Sequence, residues 1–354
     1  MFLIKKVFIL FLFADVTTCF AASDENLLEN LFYGGDTSRQ LQGSDAPPGA
    51  FPYFVEVLIS TLGLTVPSLG ALIAPDVVLT VAHTADAIQQ IAGSEIVGIN
   101  AIVGSYNSKS FQNPGSFLRT CEKFVAKPEY VPLEFTPIQD ENGTIMGSNP
   151  TPFTGQFGGN DFALCKLNAP VNIDTSSVYL ELNEDNALPA VDKTAVILGY
   201  SYDPTANSPN NLQAVEITVA DDAQCDNLFL GPNGEVLFDG VPQMCGFVPP
   251  GKGALCRGGD PGTPIVVAEA QPDGRSKHRL SGLFSFGGSV SLEFPCDDLL
   301  ANYNRVSTVM PWIRQTLCID FCSTASFCPT LTPKSCEKSK SSKKGKKTDK
   351  KGKA

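Results

Sequence analysis

The chain has only two histidines, and the first, His83, stands in "VVLTVAHTAD". An imidazole is the side chain best suited to take up and return a proton near neutral pH. A carboxylate able to orient it is offered by Asp161 in "GGNDFALCKL". These are two members of a nucleophilic triad, whose third member is a hydroxyl or thiol that the imidazole deprotonates. A third stretch, "CRGGDPGTPIVV" from Cys256 to Val267, is a glycine-rich turn with Pro261 at its centre. Proline brings neither a hydroxyl nor a backbone N–H. Hydroxyls elsewhere include Thr263 and Ser285. Taken singly, each feature has a plain reading. A lone histidine is more often structural, Asp161 after Gly-Gly-Asn can be a turn residue, and Asp-Pro-Gly is a common turn. The second histidine, His278 in "DGRSKHR", reads as a solvated turn residue.

The elements that must hold these groups are strands. Apolar or alternating runs recur between turn signals: "YFVEVLI", "GALIAPDVVLTVA", "FALCKL", "TAVILGY", "AVEITVA", "TPIVVAE" and "LSGLFSF". They have strand length and are rich in Val, Ile and Phe. The 31 glycines and 26 prolines suit many short strands joined by turns. A helical period is sustained best in "TVMPWIRQTLC", Thr308 to Cys318. The coarse expectation is an all-β body with one late helix. Leu133 to Gly159 reads as a Pro- and Gly-rich surface insertion, and its "NGT" makes Asn142 a candidate glycosylation site.

Charge and cysteine place the chain. Lys5 and Lys6, the apolar run "VFILFLFA" and the small residues of "CFAA" read as a secretory signal over residues 1–21; a buried N-terminal helix is the alternative. Residues 22–39 form an acidic leader. The net charge of −11 hides a split. Outside the signal and residues 334–354 there are 14 basic and 34 acidic residues, a balance that argues against nucleic-acid binding by the body. Residues 338–354 form a low-complexity lysine tail with nothing apolar to fold around. It reads either as a solvated tail or as a tether to an anionic surface. Beyond Cys19, ten cysteines remain, an even number that fits bridges in an oxidising compartment.

Read together and in order, these blocks resemble trypsin-like serine proteases. "GSDAPPGAFPYFVEV" is similar to the start of their mature domain, "VVLTVAHTAD" to the His block, "GGNDFALCKL" to the Asp block and "CRGGDPGTPIVV" to the nucleophile loop. "LSGLFSFGG" resembles the strand lining the cleft, and "ANYNRVSTVMPWI" the closing strand and helix. The resemblance covers about Gln40 to Cys318. It implies two antiparallel six-stranded β-barrels with a C-terminal helix, with residues 319–337 as a Cys-containing linker. It implies that His83 and Asp161 are the catalytic pair and that Pro261 stands where the serine would. It places the oxyanion and activation loop at Gly258, Gly259 and Asp260, and the cleft at Ala254, Ser285, Phe286, Gly287 and Ala301. The loop is one residue longer than the family's, and Thr263 stands for a second glycine. The activation junction falls at Arg39 and Gln40, where "QLQG" replaces the usual small apolar start, so Asp260 would lack its amine partner. The bridge beside the histidine is missing, with Ser68 and Thr84 at its positions. Bridges Cys225–Cys245 and Cys256–Cys296 are implied, and Cys121–Cys165 is proposed on neighbouring strands. Cys318, Cys322, Cys328 and Cys336 are left as two linker bridges of open connectivity, or as a zinc site.

The expectation is a secreted, non-catalytic protease homologue. It would act as decoy, inhibitor or cofactor by binding a protein, such as a hydrolase or protease, or a polysaccharide. Neither metal nor cofactor is expected. The alternative is an active serine-type endopeptidase that uses another nucleophile, Ser285 or Thr263, or in which Pro261 is an allelic or sequencing change.

Overall fold

A computed structural model describes residues 44–63, 65–92, 95–108, 115–132, 135–139, 145–150, 159–200, 211–228, 238–249, 261–287, 300–323 and 325–328. A short strand, β1 (Ser44–Asp45), precedes the first barrel. That barrel is built from β2 (Phe54–Ser60), β3 (Thr65–Ala74), β4 (Val77–Thr80), β5 (Gly98–Val103) and β6 (Phe117–Ala126). The hairpin β7 (Phe135–Gln139) and β8 (Ile145–Pro150) follows, and then β9 (Ala163–Leu167), the barrel's sixth strand. The ring closes in the order β2-β3-β4-β9-β6-β5, and every pairing in it is antiparallel.

A crossing strand, β10 (Val178–Leu182), leads to the second barrel: β11 (Thr194–Tyr200), β12 (Leu212–Val219), β13 (Gln243–Phe247), β14 (Pro264–Ala270), β15 (Ser276–Gly287) and β16 (Leu300–Arg305). These pair as β12-β11-β14-β15-β16-β13, and β13 returns to β12. The expected fold, two six-stranded antiparallel barrels and a short C-terminal helix, is what the chain forms. Alternation drives it. Val55, Val57 and Ile59 of β2 are fully buried, as are Ile197 of β11 and Ile217 of β12. Closure satisfies the strand edges that an open sheet would leave bare. The barrels meet through Phe54 and Tyr200, whose rings cross edge to face at 5.5 Å.

The helical content exceeds the expectation of one late helix. Helix α1 (His83–Ala92) starts at the histidine itself, and α2 (Asp222–Leu228) precedes β13. In α1 the apolar face is small, with Ala85 and Ile88 buried, so a short stretch of "HTADAIQQIA" gave little periodic signal. Asp86 in its first turn suits the positive end of the helix. The late helix is α3 (Met310–Gln315), entered by a tight turn at Val306–Val309 and continued by a wider one at Thr316–Asp320. Part of the expected surface insertion is the β7–β8 hairpin.

His278 is not solvated. The tight turn ends with Gly274 at φ 83°, and β15 begins at Ser276. The period of two then sends Lys277 and Arg279 outward to Glu269 and turns His278 inward. It is 6% exposed, and its Nδ1 shares a hydrogen bond of 2.6 Å with the Tyr53 hydroxyl. Phe51 packs on the imidazole at 5.5 Å.

The first residues of the expected linker, 319–337, continue the end of the protease domain as a packed strap up to Cys328. Leu317, Cys318, Phe321 and Ala325 join the same apolar cluster as the first barrel. Cys318 is bridged to Cys328, and Cys322 is also disulfide-bonded.

Two outcomes follow for stability. Burial holds the His278 imidazole below its ordinary value of 6.5, so the unfolded chain binds that proton first as the pH falls. The contribution is complete above about pH 6.5 and is lost on acidification through the lowered folded value. Denaturant unfolding at several pH values should show a shallower acid slope for His278→Gln than for the parent chain. Replacing both Cys318 and Cys328 with alanine should cost about 2–3 kcal/mol in the same assay, the range for a short closed loop.

Candidate functional site

The register of β4 against β9 builds the site. Thr80 lies opposite Ala163, so Ala82 and His83 beyond one strand face Asp161 before the other. The Asp161 carboxylate is 2% exposed and accepts four hydrogen bonds. Its Oδ1 takes the backbone N–H groups of Ala82 at 2.8 Å and His83 at 2.9 Å. Its Oδ2 takes His83 Nδ1 at 2.6 Å and the Ser285 hydroxyl at 2.6 Å. The His83 side chain keeps 13% exposure. With Nδ1 occupied, its other nitrogen is left for chemistry or contact. Asn304 of β16 donates to the Asp161 backbone carbonyl at 3.4 Å. The carboxylate therefore draws donors from both barrels.

The electrostatics favour the ionised pair. Burial alone would push His83 down, but the Asp161 charge and hydrogen bond, helped by Asp86, leave it raised. Burial alone would raise Asp161; His83 and the hydroxyl of Ser285 outweigh it and leave it lowered. Asp86, partly buried one turn into α1, has its carboxyl raised, first by burial. Tyr130 adds a phenol held far above its ordinary range by burial and then by the Asp161 and Asp86 charges. Asp86 and Tyr130 had no distinguishing motif. The only sequence signal for Asp86 was its place three residues after His83, on one helix face.

Pro261 and Gly262 form the tight turn that Asp-Pro-Gly suggests. Gly262 has φ 85°, and a Cβ there would lie 2.0 Å from the Leu69 carbonyl oxygen. Only glycine fits both the conformation and the approach. The Pro261 carbonyl accepts Leu69 N–H at 2.6 Å and the Ser68 hydroxyl at 2.9 Å. Gly262 N–H donates to Phe284 O at 2.9 Å, and Phe284 N–H to Thr263 O at 2.8 Å. Thr84, next to His83, reaches the Ser68 hydroxyl at 3.4 Å, and Thr80 donates to Leu69 O at 2.6 Å. Ser68 and Thr84 thus face each other and tie Pro261 to the start of α1 by hydroxyls.

Of the other expected site residues, Ser285 is committed to Asp161, and Thr263 is 4% exposed. Gly287 pairs with Ala301, and Phe286 with Asn302, along β15 and β16. Ala301 is buried in the second barrel's core. Cys121 is bridged to Cys165 across β6 and β9, and Cys225 to Cys245. Arg39, Gln40, Asn142, Ala254, Gly258, Gly259, Asp260, Cys256 and Cys296 lie outside the described residues. Among the described residues no group of three or more His, Cys, Asp or Glu side chains is arranged to hold a metal ion.

Asp161→Asn should lower the His83 pKa, because burial is then opposed by the Asp86 charge alone. A proton NMR titration of the His83 ring reads this directly. An unchanged value would show that Asp161 does not set the charge of His83.

The comparisons with known proteins agree with this architecture. The chain is 25% identical over 285 residues to serine protease filzig of Drosophila melanogaster, covering 78% of this chain but only 14% of that protein's length. It is 24% identical over 284 residues to granzyme H of Homo sapiens, covering 80% of this chain and 93% of the relative. It is 29% identical over 194 residues to glucanase inhibitor protein 1 of Phytophthora infestans, covering 54% of this chain and 67% of the relative. The profile of the family described as Trypsin matches residues 40–313. With both barrels closed and His83 set on Asp161 at their junction, the chain belongs to the trypsin family.

Proposed function

We propose that this chain is a secreted trypsin-family protein that binds a partner and does not cut peptides. Pro261 carries the reading. It stands at the position that the family's nucleophile loop assigns to serine. Peptide hydrolysis by this family needs a hydroxyl for His83 to activate and backbone N–H groups to hold the oxyanion. Loss of one oxyanion donor lowers turnover by about 10²–10³. Loss of the nucleophile lowers it by about 10⁶. Pro261 removes both at once.

The other hydroxyls do not replace it. Ser285 donates to Asp161 Oδ2, the oxygen that also takes His83 Nδ1, so its hydroxyl proton is committed to the carboxylate and not to the other nitrogen of His83. Thr263 is buried, and its backbone carbonyl is engaged by Phe284. The polar Gln40 after Arg39 is a further departure from the family's activation chemistry. The signal-like N-terminus and the disulfides support secretion. No helix among the described residues is long and apolar enough to cross a membrane.

The partner class we favour is a secreted hydrolase, with the chain acting as its inhibitor. The support is the likeness to a relative named as a glucanase inhibitor. The face around His83, Asp86 and Tyr130 is the contact region, because it joins a partly exposed imidazole to carboxylate charge.

Two measurements test the reading. The secreted protein cut after Arg39 should release no products from a mixed peptide library by mass spectrometry. Cleavage that His83→Ala abolishes would overturn it and mean that another nucleophile acts. Titration into a glucanase assay should lower the rate, and alanine at Asp86 and Tyr130 should weaken that inhibition.

A further inference from the structure

Strand β16 reads "LANYNR", with two asparagines where a buried strand would normally carry apolar side chains. Ala301 and Tyr303 belong to the core of the second barrel. The period of two therefore turns Asn302 and Asn304 to the opposite face of the sheet. Asn304 meets the Asp161 segment on that face, its Nδ2 donating to the backbone carbonyl at 3.4 Å. Leu283, which pairs with Asn304 on β15, joins the apolar cluster of the first barrel there. Both asparagines are wholly buried.

The protein does not satisfy their amides. Nδ2 and Oδ1 of Asn302 and Oδ1 of Asn304 are buried without a hydrogen-bond partner among the described residues. The Asn304 amide cannot turn to help, because its Nδ2 is held by the Asp161 carbonyl. The paired residues offer nothing either: Cys245, opposite Asn302 on β13, is bridged to Cys225, and Leu283 is apolar. Buried amides left unmade are costly, and folded proteins meet them with ordered water. Water also has the right chemistry. The Nδ2 protons of Asn302 oppose a cation, and the two amide oxygens with the nearby Asp161 charge oppose an anion. A water molecule accepts from Asn302 Nδ2 and donates to Asn304 Oδ1. Same-face neighbours on a strand stand about 6.6 Å apart, and two hydrogen bonds of about 2.8 Å through one water cover most of that span.

We propose that Asn302 and Asn304 form a binding site for at least one internal water molecule at the junction of the two barrels, beside the backbone of Asp161. The barrels then meet in two ways. Contact is dry where the rings of Phe54 and Tyr200 cross, and wet where β16 faces the Asp161 segment. The water extends the single long bond from Asn304 into a network that holds this segment against the second barrel. The site belongs to β16, and it stands whether or not the chain cuts peptides.

The test uses the full secreted chain, labelled with ¹⁵N. The side-chain amide protons of Asn302 should show cross-peaks to long-lived water in nuclear and rotating-frame Overhauser spectra. Asn302→Leu keeps the volume and removes the hydrogen-bonding groups. Water-¹⁷O relaxation dispersion, which counts long-lived internal waters, should report at least one fewer in that variant than in the parent chain. Its denaturant midpoint should also fall, since a water that bridged two amides loses its seat. A dry site predicts the reverse: leucine would relieve two unpaired atoms and raise the midpoint. No water cross-peak at Asn302 in the parent chain would overturn the proposal, and that reading needs no variant to fold. An unchanged water count or a raised midpoint in a folded Asn302→Leu would overturn it as well.

Discussion

A single buried carboxylate organises the junction of the two barrels. Asp161 is taken almost wholly out of water, which a charged group tolerates only when its lone pairs are matched. The first barrel supplies two backbone N–H groups and the imidazole of His83; the second supplies the Ser285 hydroxyl. The start of α1, the end of β4 and the last residues of β15 are thereby fixed to one another. The donors are unlike in kind and come from distant parts of the chain, so no local rearrangement replaces one that is lost.

This dependence separates the presence of a His–Asp pair from the presence of catalysis. Truncating His83 would leave a buried charge short of a partner, an expensive outcome even for a protein that never cut a peptide. Geometry of catalytic quality is thus explained by folding alone. The activity question moves to residue 261, where the backbone tells a consistent story. The Pro261 carbonyl is tied to β3 by Leu69 and Ser68, and Gly262 presses against Leu69 where no side chain fits. The turn is anchored as a turn. The hydroxyls of Ser68 and Thr84 do by hydrogen bonding some of the tying that a bridge at those positions would do covalently, and they leave the loop's attachment weaker and reversible.

The sequence carried the barrels well because strand signals are local: the period of two, the β-branched runs and the turn residues are all read within a few positions. It carried His83 and Asp161 because each sits at the end of such a run, in blocks whose order matched a known family. What escaped depended on three-dimensional neighbours. His278 looked solvated because "DGRSKHR" is polar, yet the strand already begins at Ser276 within that stretch, and its alternation turns the ring inward beside Tyr53. Ser285 was visible as a residue of the cleft strand, but its bond to Asp161 joins positions far apart in sequence. Asp86 and Tyr130 entered the site by packing alone.

The C-terminal strap shows the same limit from the opposite side. Composition past Cys318 suggested a linker, since polar residues and cysteines dominate it. A linker reading weighs average hydrophobicity, whereas docking needs only a few apolar contacts at the right spacing. Leu317, Phe321 and Ala325 recur every four residues and find the same core that β4 and β9 face. A disulfide then holds the segment against the entropy that would otherwise release it. The boundary of the folded unit thus lies past the end of the family match, at least to Cys328.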